Sequence, residues 1–205
     1  MKDHDATFWD ERYRSRETAW SAEINERVAD AVAGVAPGFA LDAGCGEGAD
    51  AVWLAEHGWQ VTAADISAVA LERGRANDST GRVEWRQADL LVWEPAASSY
   101  DLVTAHFVHF PSPQRESMFR RLATAVRPRG TLLIVAHHPS DLETTARRPP
   151  MPEVFYTADE IAAQLEPGDW DIVDAGAFAR SAVDPGGQTI TVHDTVLRAR
   201  RRRSE

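Results

Sequence analysis

The sequence predicts an α/β domain with a doubly wound, mostly parallel seven-stranded sheet and one antiparallel edge strand. Two observations carry this prediction. Short apolar runs alternate with stretches of helical periodicity from residue 39 onward, as expected when parallel strands are joined by crossover helices. The last part of the chain holds two further strand patterns around a Pro-Gly-Gly turn, which is typical of an antiparallel hairpin.

The chain begins with helical patterns and then turns into the first strand. Residues Asp5 to Ala33 predict two helical pieces that separate near Trp20. The first strand is expected over Phe39 to Asp42, followed by a glycine-rich loop and by a helix that ends at Gly58. Glycine is a common residue directly after the last turn of a helix, because it adopts the left-handed conformation easily.

Regular alternation continues through the middle of the chain. Ser67 is expected to cap a helix that ends at Asn77, because a serine hydroxyl accepts a hydrogen bond from a free backbone N–H. A further helix is predicted over Gln114 to Val126, and the segment Arg127 to Gly130 is expected to break it. The predicted strands are Gln60 to Ala64, Val83 to Gln87, Tyr100 to Ala105 and Thr131 to Ala136.

The C-terminal part begins with a polar, proline-rich segment, Asp141 to Pro152, that predicts a surface loop or lid. Thr157 and Glu160 have the spacing of a capping box at the start of a short helix. The strands of the expected hairpin are Asp171 to Phe178 and Thr189 to Arg198.

Composition and charge describe one globular domain. The 205 residues are 43% hydrophobic and 26% charged, and their net charge of -10 argues against a surface that coats nucleic acid, since such surfaces are basic. We expect residues 1–198 to form a single domain, with helices over 1–33 and the sheet core over 34–198. Residues 199–205 are expected to form a basic, solvated tail.

Neither a membrane span nor an export signal is expected. The longest apolar stretch, Thr131 to Ala136, is far shorter than the roughly 20 residues that cross a bilayer, and the charged start lacks the apolar region of a signal peptide. We therefore expect a cytoplasmic protein without a membrane partner. The single cysteine, Cys45, excludes an internal disulfide, and no Cys-x-x-Cys pair predicts a zinc site.

A glycine-rich loop after the first strand is the strongest functional signal. Residues 42–48 read Asp-Ala-Gly-Cys-Gly-Glu-Gly, at a strand-to-helix turn where missing side chains let the backbone approach a ligand. Gly44, Gly46 and Ala49 also satisfy the dinucleotide pattern, so an NAD or flavin oxidoreductase stays an alternative. Asp42 favours another ligand, because a carboxylate there would repel a pyrophosphate but attract the ammonium of an amino acid.

Two further acids follow the next two predicted strands. Asp65 lies 21 residues after Gly44, the separation at which an acid accepts hydrogen bonds from the hydroxyls of a ribose. Asp89 follows the third strand and is placed to accept from an adenine amino group. Because the carboxyl ends of parallel strands meet at one edge of a sheet, Asp42, Asp65 and Asp89 together predict a site for a nucleoside ligand.

In these residues the chain resembles the class I S-adenosylmethionine-dependent methyltransferases. Residues 42–48 look like the first motif of that family, and the resemblance runs from about Trp20 to Arg198. It implies a Rossmann-like methyltransferase fold and S-adenosyl-L-methionine as the cofactor. The cofactor-binding residues that it implies are Trp20, Asp42, Gly44, Cys45, Gly46, Asp65, Ile66, Asp89 and Leu90.

Within this class the chain is most similar to the small-molecule branch of tellurite-resistance and thiopurine-methyltransferase-like enzymes. That branch places an aromatic N-terminal segment over the cofactor, and Phe8, Trp9, Tyr13 and Trp20 lie in the matching stretch. The resemblance implies a small-molecule methyl acceptor, with a thiol preferred and nitrogen or oxygen acceptors left open. It also implies that the N-terminal helices form a lid that excludes water and reopens for product release.

Four histidines follow the fourth and fifth predicted strands, where the acceptor is expected. An imidazole can take a proton from a thiol, phenol or amine near neutral pH. His106 and His137 lie closest to their strand ends, and we therefore select them as the candidate catalytic residues over His109 and His138.

Other interpretations of these histidines stay open. They are also consistent with structural residues, with zinc or iron ligands, or with an aromatic pocket that includes Phe107 and Phe110. No metal is expected, because methyl transfer needs none and no carboxylate or cysteine follows the same strands. The prediction is a methyltransferase that acts on a small molecule, and the alternatives are an NAD or flavin oxidoreductase and a cofactor-binding module without turnover.

Overall fold

The computed structural model describes residues 5–15 and 23–203. Its strands are β1 (Phe39–Ala43), β2 (Gln60–Asp65), β3 (Val83–Gln87), β4 (Tyr100–His106), β5 (Val126–His137), β6 (Trp170–Val183) and β7 (Thr189–Arg201). The α-helices of these residues are α1 (Ala6–Arg14), α2 (Glu26–Val32), α3 (Ala49–Glu56), α4 (Ala68–Asn77), α5 (Gln114–Ala125) and α6 (Ala158–Ala162). Two short 3₁₀ turns span Pro139–Glu143 and Pro152–Val154.

The seven strands form one sheet in the order β3-β2-β1-β4-β5-β7-β6. Strands β1 to β5 run parallel, whereas β7 pairs antiparallel with both β5 and β6. The predicted doubly wound, mostly parallel seven-stranded sheet with one reversed strand is therefore confirmed. The reversed strand β7 lies between β5 and β6 rather than at the edge, because the second strand of the hairpin is the one that pairs with β5.

Helices cover both faces of this sheet. On one face, Val28 of α2 and Leu54 of α3 pack against the apolar side chains of the central strands. On the other face, Phe119 of α5 and Ile161 of α6 belong to a second buried cluster. A sheet that is covered on both sides holds its strands rigidly, so the side chains at the carboxyl ends of β1, β2 and β4 have defined positions.

The indole of Trp85 packs between the glycine loop and α4. A Cβ atom added at Gly48 would lie 2.2 Å from this ring, and a Cβ atom added at Gly74 would lie 2.4 Å from it. The Gly74 position is tight on a second side, because the carbonyl oxygen of Glu47 would lie 2.8 Å away. These two glycines therefore let β3 and α4 close upon the loop.

The side-chain caps that the sequence predicts at the starts of α4 and α6 are both present. The Ser67 hydroxyl accepts a hydrogen bond from the N–H of Ala70 at 3.2 Å, at the start of α4. Thr157 and Glu160 form the predicted capping box at the start of α6. Each cap satisfies backbone N–H groups that have no partner inside the helix.

The segment Arg127 to Gly130, which was expected to break the helix before the strand, is itself part of β5. Tyr100 of β4 pairs with Val126, but Leu102 pairs with Thr131, so the extra residues of β5 form a bulge. Arg129 lies in this bulge and has a left-handed φ of 70°. The helix α5 therefore ends at Ala125, one residue before the predicted end.

The hairpin strands are longer than predicted. β6 continues to Val183, and β7 continues past Arg198, with Arg200 opposite Thr131 and Arg201 opposite Trp170. The prediction of a solvated tail was therefore wrong for residues 199–201, because their backbone completes the ladder between β5 and β6. Among the described residues, no helix is long and apolar enough to cross a membrane.

The packing of Trp85 against α4 predicts the stability of a Gly74 variant. Overpacking a tight site costs about 1–3 kcal/mol, whereas replacing a helical glycine by alanine gains about 1 kcal/mol of helix propensity. We expect Gly74→Ala to lower the free energy of unfolding by up to about 2 kcal/mol, measured by urea denaturation. The same substitution in a Trp85→Leu background should cost less, because the ring is gone, and an equal loss in both backgrounds would show that the indole is not the obstacle.

Candidate active site

The glycine loop after β1 has a backbone conformation that favours glycine. Gly44, Gly46 and Gly48 have φ angles of 78°, 55° and 78°. The space beside the loop is also filled, since a Cβ atom at Gly44 would lie 2.6 Å from Val108 Cγ2 and one at Gly46 would lie 2.7 Å from the Tyr13 hydroxyl. Both the conformation and the close neighbours therefore require glycine here.

Asp42 lies in β1 directly before this loop and is only 3% exposed. Its Oδ1 accepts a hydrogen bond from the Thr104 hydroxyl of β4 at 3.1 Å. Burial, with the negative charge of Asp50 close by, raises the pKa of the Asp42 carboxyl to about 7, although His106 and Thr104 act in the opposite direction. A buried carboxylate in this situation is stabilised strongly by a cationic partner.

Asp65 closes the loop from the side of β2. Its Oδ2 accepts a hydrogen bond from the Gly46 N–H at 2.8 Å, and its Oδ1 accepts one from the Ser67 N–H at 2.8 Å. Burial raises the pKa of this carboxyl, and the backbone hydrogen bonds oppose that shift. Each carboxylate oxygen keeps a second lone pair, so Asp65 retains the capacity to accept from a hydroxyl group.

The remaining residues predicted for the cofactor lie around the same loop. Leu90 is 7% exposed, and its Cδ1 lies 3.7 Å from the position of a Cβ atom on Gly44. The Oδ1 of Asp89 accepts from the Leu91 N–H at 2.8 Å, which fixes the turn after β3. The carbonyl oxygen of Ile66 accepts from Gln87 at 3.1 Å.

Cys45 is half-buried inside the loop and is the free cysteine of the chain. Burial raises the pKa of its thiol, and the negative charges of Asp42 and Asp65 raise it further. The thiol therefore stays protonated at neutral pH and is a poor nucleophile.

The structure thus places most of the predicted cofactor residues at the carboxyl ends of β1, β2 and β3. One of them, Trp20, lies outside the described residues. Those that surround the loop are Asp42, Gly44, Cys45, Gly46, Asp65, Ile66, Asp89 and Leu90.

The N-terminal helix α1 packs beside this loop. Asp10 of α1 accepts hydrogen bonds from the Ser67 hydroxyl at 2.6 Å and from the Val69 N–H at 3.2 Å, at the start of α4. Tyr13 is 4% exposed and has its hydroxyl beside Gly46. An aromatic N-terminal residue therefore covers part of the glycine loop.

His106 at the end of β4 forms a pair with Asp50, a residue that the sequence analysis did not select. The His106 Nδ1 and the Asp50 Oδ2 are 2.7 Å apart, and the two side chains are 8% and 15% exposed. Asp50 lies in the first turn of α3, and its Oδ1 accepts from the Asn25 N–H at 2.7 Å. No carboxylate follows the same strands as these histidines, but α3 brings Asp50 across the loop to His106.

This pair leaves one nitrogen of His106 available. A carboxylate only accepts hydrogen bonds, so the neutral imidazole carries its proton on Nδ1 and presents Nε2 as an acceptor. That Nε2 is buried and has no hydrogen-bond partner among residues 5–15 and 23–203. The arrangement is that of an oriented general base.

His137 at the end of β5 lies in a group of four aromatic rings, which we call the ring cluster. The centroid of His137 is 4.7 Å from that of Phe107, 5.1 Å from that of His109 and 6.4 Å from that of Phe155. Burial lowers the pKa of His137 to about 2, and the charges of Arg148 and Arg180 contribute. His137 is therefore neutral and accepts a proton poorly at neutral pH.

The segment from Phe107 to His109 links the ring cluster to the glycine loop. Phe107 has a φ of 52°, which is rare for a residue with a bulky side chain. Its N–H donates to the Val135 carbonyl at 2.7 Å, and the Tyr156 hydroxyl donates to the Val108 carbonyl at 3.3 Å. These bonds hold Val108 against Gly44 and turn Phe107 toward His137.

The segment predicted as a surface loop or lid is anchored close to His137. The Asp141 side chain is 0% exposed and pairs with Arg148 at 2.6 Å. Its other oxygen accepts from the His193 N–H of β7 at 2.8 Å. His138, in contrast, bonds with Ser140 at 2.9 Å in the turn after β5. In the part of the chain that the structure describes, no group of three or more His, Cys, Asp or Glu residues is arranged to hold a metal ion.

Comparison with known proteins finds similarity to methyltransferases over part of the chain. Residues 40–130 match the family described as a methyltransferase domain. An uncharacterized methyltransferase of Mycobacterium bovis is 31% identical over 117 residues, which cover 57% of this chain and 59% of the relative. The chain therefore matches about three fifths of the length of that relative. These comparisons favour the methyltransferase over the oxidoreductase alternative.

Solved structures share the whole fold. The structure described as "Conversion of a Disulfide Bond into a Thioacetal Group during Echinomycin Biosynthesis" has a TM-score of 0.74 and 25% identity, covering 97% of this chain and 93% of that chain. TehB from Haemophilus influenzae has a TM-score of 0.69 and 18% identity, covering 95% and 66%.

A third similar structure holds two ligands. It is the 1,6-didemethyltoxoflavin-N1-methyltransferase of Burkholderia thailandensis with 1,6-didemethyltoxoflavin and S-adenosylhomocysteine bound, with a TM-score of 0.67 and 19% identity, covering 96% and 86%. At this identity the likeness shows the fold. Taken with the partial family match and the strand-end acids, these findings agree with the resemblance to the class I S-adenosylmethionine-dependent methyltransferases.

Proposed function

We propose that this chain transfers a methyl group from S-adenosylmethionine to a small molecule that carries a sulfur nucleophile. The observation that supports it most strongly is the His106–Asp50 pair, which lies one strand from the buried Asp42 and the glycine loop. A cation-binding carboxylate and an oriented base at the same sheet edge are the two groups that this reaction needs. One group holds the charged cofactor, and the other removes a proton from the acceptor.

The residues around the loop fit S-adenosylmethionine. Asp42 is assigned to the ammonium of the methionine part, because burial makes its charge costly without a cation. The loop from Gly44 to Gly46 lies alongside that part, and Asp65 is assigned to the ribose hydroxyls. Ile66, Asp89 and Leu90 are assigned to the adenine. A pyrophosphate fits less well, since the carboxylate of Asp42 at the end of β1 would repel its negative charge.

The proton step is assigned to His106 and Asp50. Bound S-adenosylmethionine supplies an electrophilic methyl carbon, whose bond to the sulfonium sulfur breaks with both electrons going to that sulfur as the new sulfur–carbon bond forms. The Nε2 of His106 accepts the thiol proton. Asp50 keeps the imidazole oriented through Nδ1 and stabilises the positive charge that it gains.

His106 is a better candidate for this step than His137. Both were selected from the sequence because each follows a strand of the central sheet. Burial and two nearby arginines lower the pKa of His137 to about 2, so its neutral form has little tendency to take a proton. We therefore assign His137 to the wall of the acceptor site and His106 to the proton transfer.

Two observations support a sulfur acceptor. A thiol has a pKa of about 8.5, so one neutral imidazole suffices to remove its proton near neutral pH. One of the similar structures is described by the conversion of a disulfide bond into a thioacetal group, which is also sulfur chemistry. A nitrogen acceptor is the second candidate, since the toxoflavin enzyme of similar fold is an N1-methyltransferase.

The assignment of Asp42 predicts a selective loss of affinity. Asp42→Asn should weaken S-adenosylhomocysteine binding at least about tenfold at pH 8, because a charge-assisted hydrogen bond to the ammonium is lost. 5′-Methylthioadenosine keeps the adenosine and the thioether but lacks the amino acid, so its affinity should change little. Calorimetry with both ligands measures the difference. Equal weakening of the two ligands, or binding of NAD in place of S-adenosylhomocysteine, would contradict the assignment.

The assignment of His106 predicts slow turnover with intact cofactor binding. His106→Gln should lower kcat about 10²–10⁴-fold in a mass-spectrometric assay of methyl transfer to a thiol, because the general base is lost. Asp50→Asn should lower kcat less, and the double variant should be no slower than His106→Gln, because Asp50 acts through His106.

A matched control is His138→Gln, which alters a histidine whose side chain bonds with Ser140 in the turn after β5, and it should keep kcat within about threefold. An unchanged kcat for His106→Gln would contradict the assignment of His106 as the group that accepts the thiol proton. Additive losses in the double variant would show that Asp50 acts elsewhere. A protein that binds the cofactor but methylates no thiol, amine or phenol would be a binding module instead.

A further inference from the structure

A group of arginines surrounds the end of β7, and we call it the arginine cluster. Together with Asp171, its side chains line a cavity of about 430 Å³. The cluster lies beside the start of β5, at the end of that strand which is remote from His137. Its members are Arg129, Arg200, Arg201, Arg202 and Arg203.

The sheet fixes the backbone of this cluster. Arg200 is opposite Thr131 of β5, and Arg201 is opposite Trp170 of β6. Arg129 belongs to the bulge of β5. Arginines on paired strands have less conformational freedom to lose when they bind a ligand than arginines in a solvated tail.

Uncharged oxygen atoms orient two of the guanidinium groups. The Nε of Arg200 donates to the Arg129 carbonyl at 3.3 Å. The Nη1 of Arg201 donates to the Ser98 hydroxyl at 3.2 Å and to the Val126 carbonyl. A guanidinium group has five N–H donors, so both side chains keep donors for a ligand. These bonds hold the groups in place without neutralising their charge.

Acidic side chains balance little of the charge of the cluster. Arg202 pairs with Asp171 at 2.7 Å, and the neighbouring Arg127 pairs with Asp101. Within residues 5–15 and 23–203, the other four members of the cluster form no ion pair. The whole chain has a net charge of -10, so this concentration of positive charge is local. An anion between these groups would remove their mutual repulsion.

The chemistry of the cluster favours a chain of phosphate groups. Arginine binds phosphate oxygens through two parallel N–H donors, which gives both strength and geometric fit. Four guanidinium groups without a carboxylate partner match an anion of several charges better than they match one phosphate or one carboxylate. A long nucleic-acid strand fits less well, because it would extend over the acidic remainder of the surface.

We propose that the arginine cluster binds a condensed phosphate, an anion of two or three linked phosphate groups that is either free or carried by a nucleotide. The site is separate from the candidate active site. Thr131 beside the cluster and His137 at the other end of β5 are on the order of 20 Å apart along the strand. The proposal does not depend on the proposed function, because binding here needs neither the cofactor nor the methyl acceptor.

Calorimetry with tripolyphosphate tests the proposal. The full-length protein is titrated in about 0.1 M NaCl, so that weak long-range attraction is screened, and with excess S-adenosylhomocysteine present. We expect one site per chain with a Kd of about 100 µM or lower, and binding of sulfate that is at least about tenfold weaker, because sulfate carries fewer charges. The absence of tripolyphosphate binding, or equal affinity for sulfate, would overturn the proposal.

Two double variants locate the binding site. Arg129→Gln with Arg200→Gln removes two charges from the cluster and should weaken tripolyphosphate binding at least about tenfold. The matched control, Arg75→Gln with Arg120→Gln, removes two charges from the exposed surfaces of α4 and α5 and should change the Kd less than about threefold. Urea denaturation verifies that both proteins fold. Equal weakening in the two double variants would show general attraction to the surface charge and would overturn the site.

Two further ligands identify the carrier of the phosphate groups. ATP has the same chain of three phosphates as tripolyphosphate, and the excess S-adenosylhomocysteine keeps its adenine from the cofactor site. Tighter binding of ATP than of tripolyphosphate would support a nucleotide as the ligand, whereas equal or weaker binding of ATP would support a free phosphate chain. A short deoxythymidine oligonucleotide that binds more tightly than both would overturn the proposal, because the cluster would then be part of a nucleic-acid surface.

Discussion

The burial of one carboxylate, that of Asp42, is the constraint on which the rest of the site depends. The pleat of β1 places it between the glycine loop and Thr104 of β4, where water does not reach it. Its charge is costly there, and the second acid Asp50 increases that cost. Asp50 also holds His106 in place. The carboxylate of Asp50 therefore influences both the pKa of Asp42 and the orientation of His106. The proposed site for a cationic cofactor and the proposed base next to it therefore belong to one electrostatic arrangement.

The sheet makes this arrangement possible because it fixes the ends of its strands. Residues 42 and 104 are opposite each other in the parallel register of β1 and β4, so the two exits lie side by side. The left-handed conformations of Gly44 and Phe107 then turn each exit sharply, one to form the loop and the other to form the ring cluster. Val108 lies against Gly44, and it connects the proposed cofactor region with the proposed acceptor region.

Much of the fold and of the cofactor side could be predicted because the signals are local. The glycine loop, Asp65 and Asp89 each follow a strand whose apolar pattern is visible in the sequence. Asp50 could not be found in this way, since its role depends on a partner 56 residues further along the chain. Asp141 and Arg148 lie in a proline-rich, polar segment that looks like a surface loop, although the ion pair is buried. Arg200 and Arg201 look like a solvated tail, yet their backbone pairs with β5 and β6.

The number of protons released on cofactor binding tests the central claim most directly. With a pKa of about 7, the Asp42 carboxyl is about half protonated at pH 7 in the free protein. An ammonium beside it favours the ionised form, so S-adenosylhomocysteine, whose amino group is fully protonated at pH 7, should expel about half a proton per site at that pH. Calorimetry in buffers of different ionisation enthalpy measures this quantity, and Asp42→Asn should abolish the release. Tight binding at pH 7 with no proton release would contradict the account.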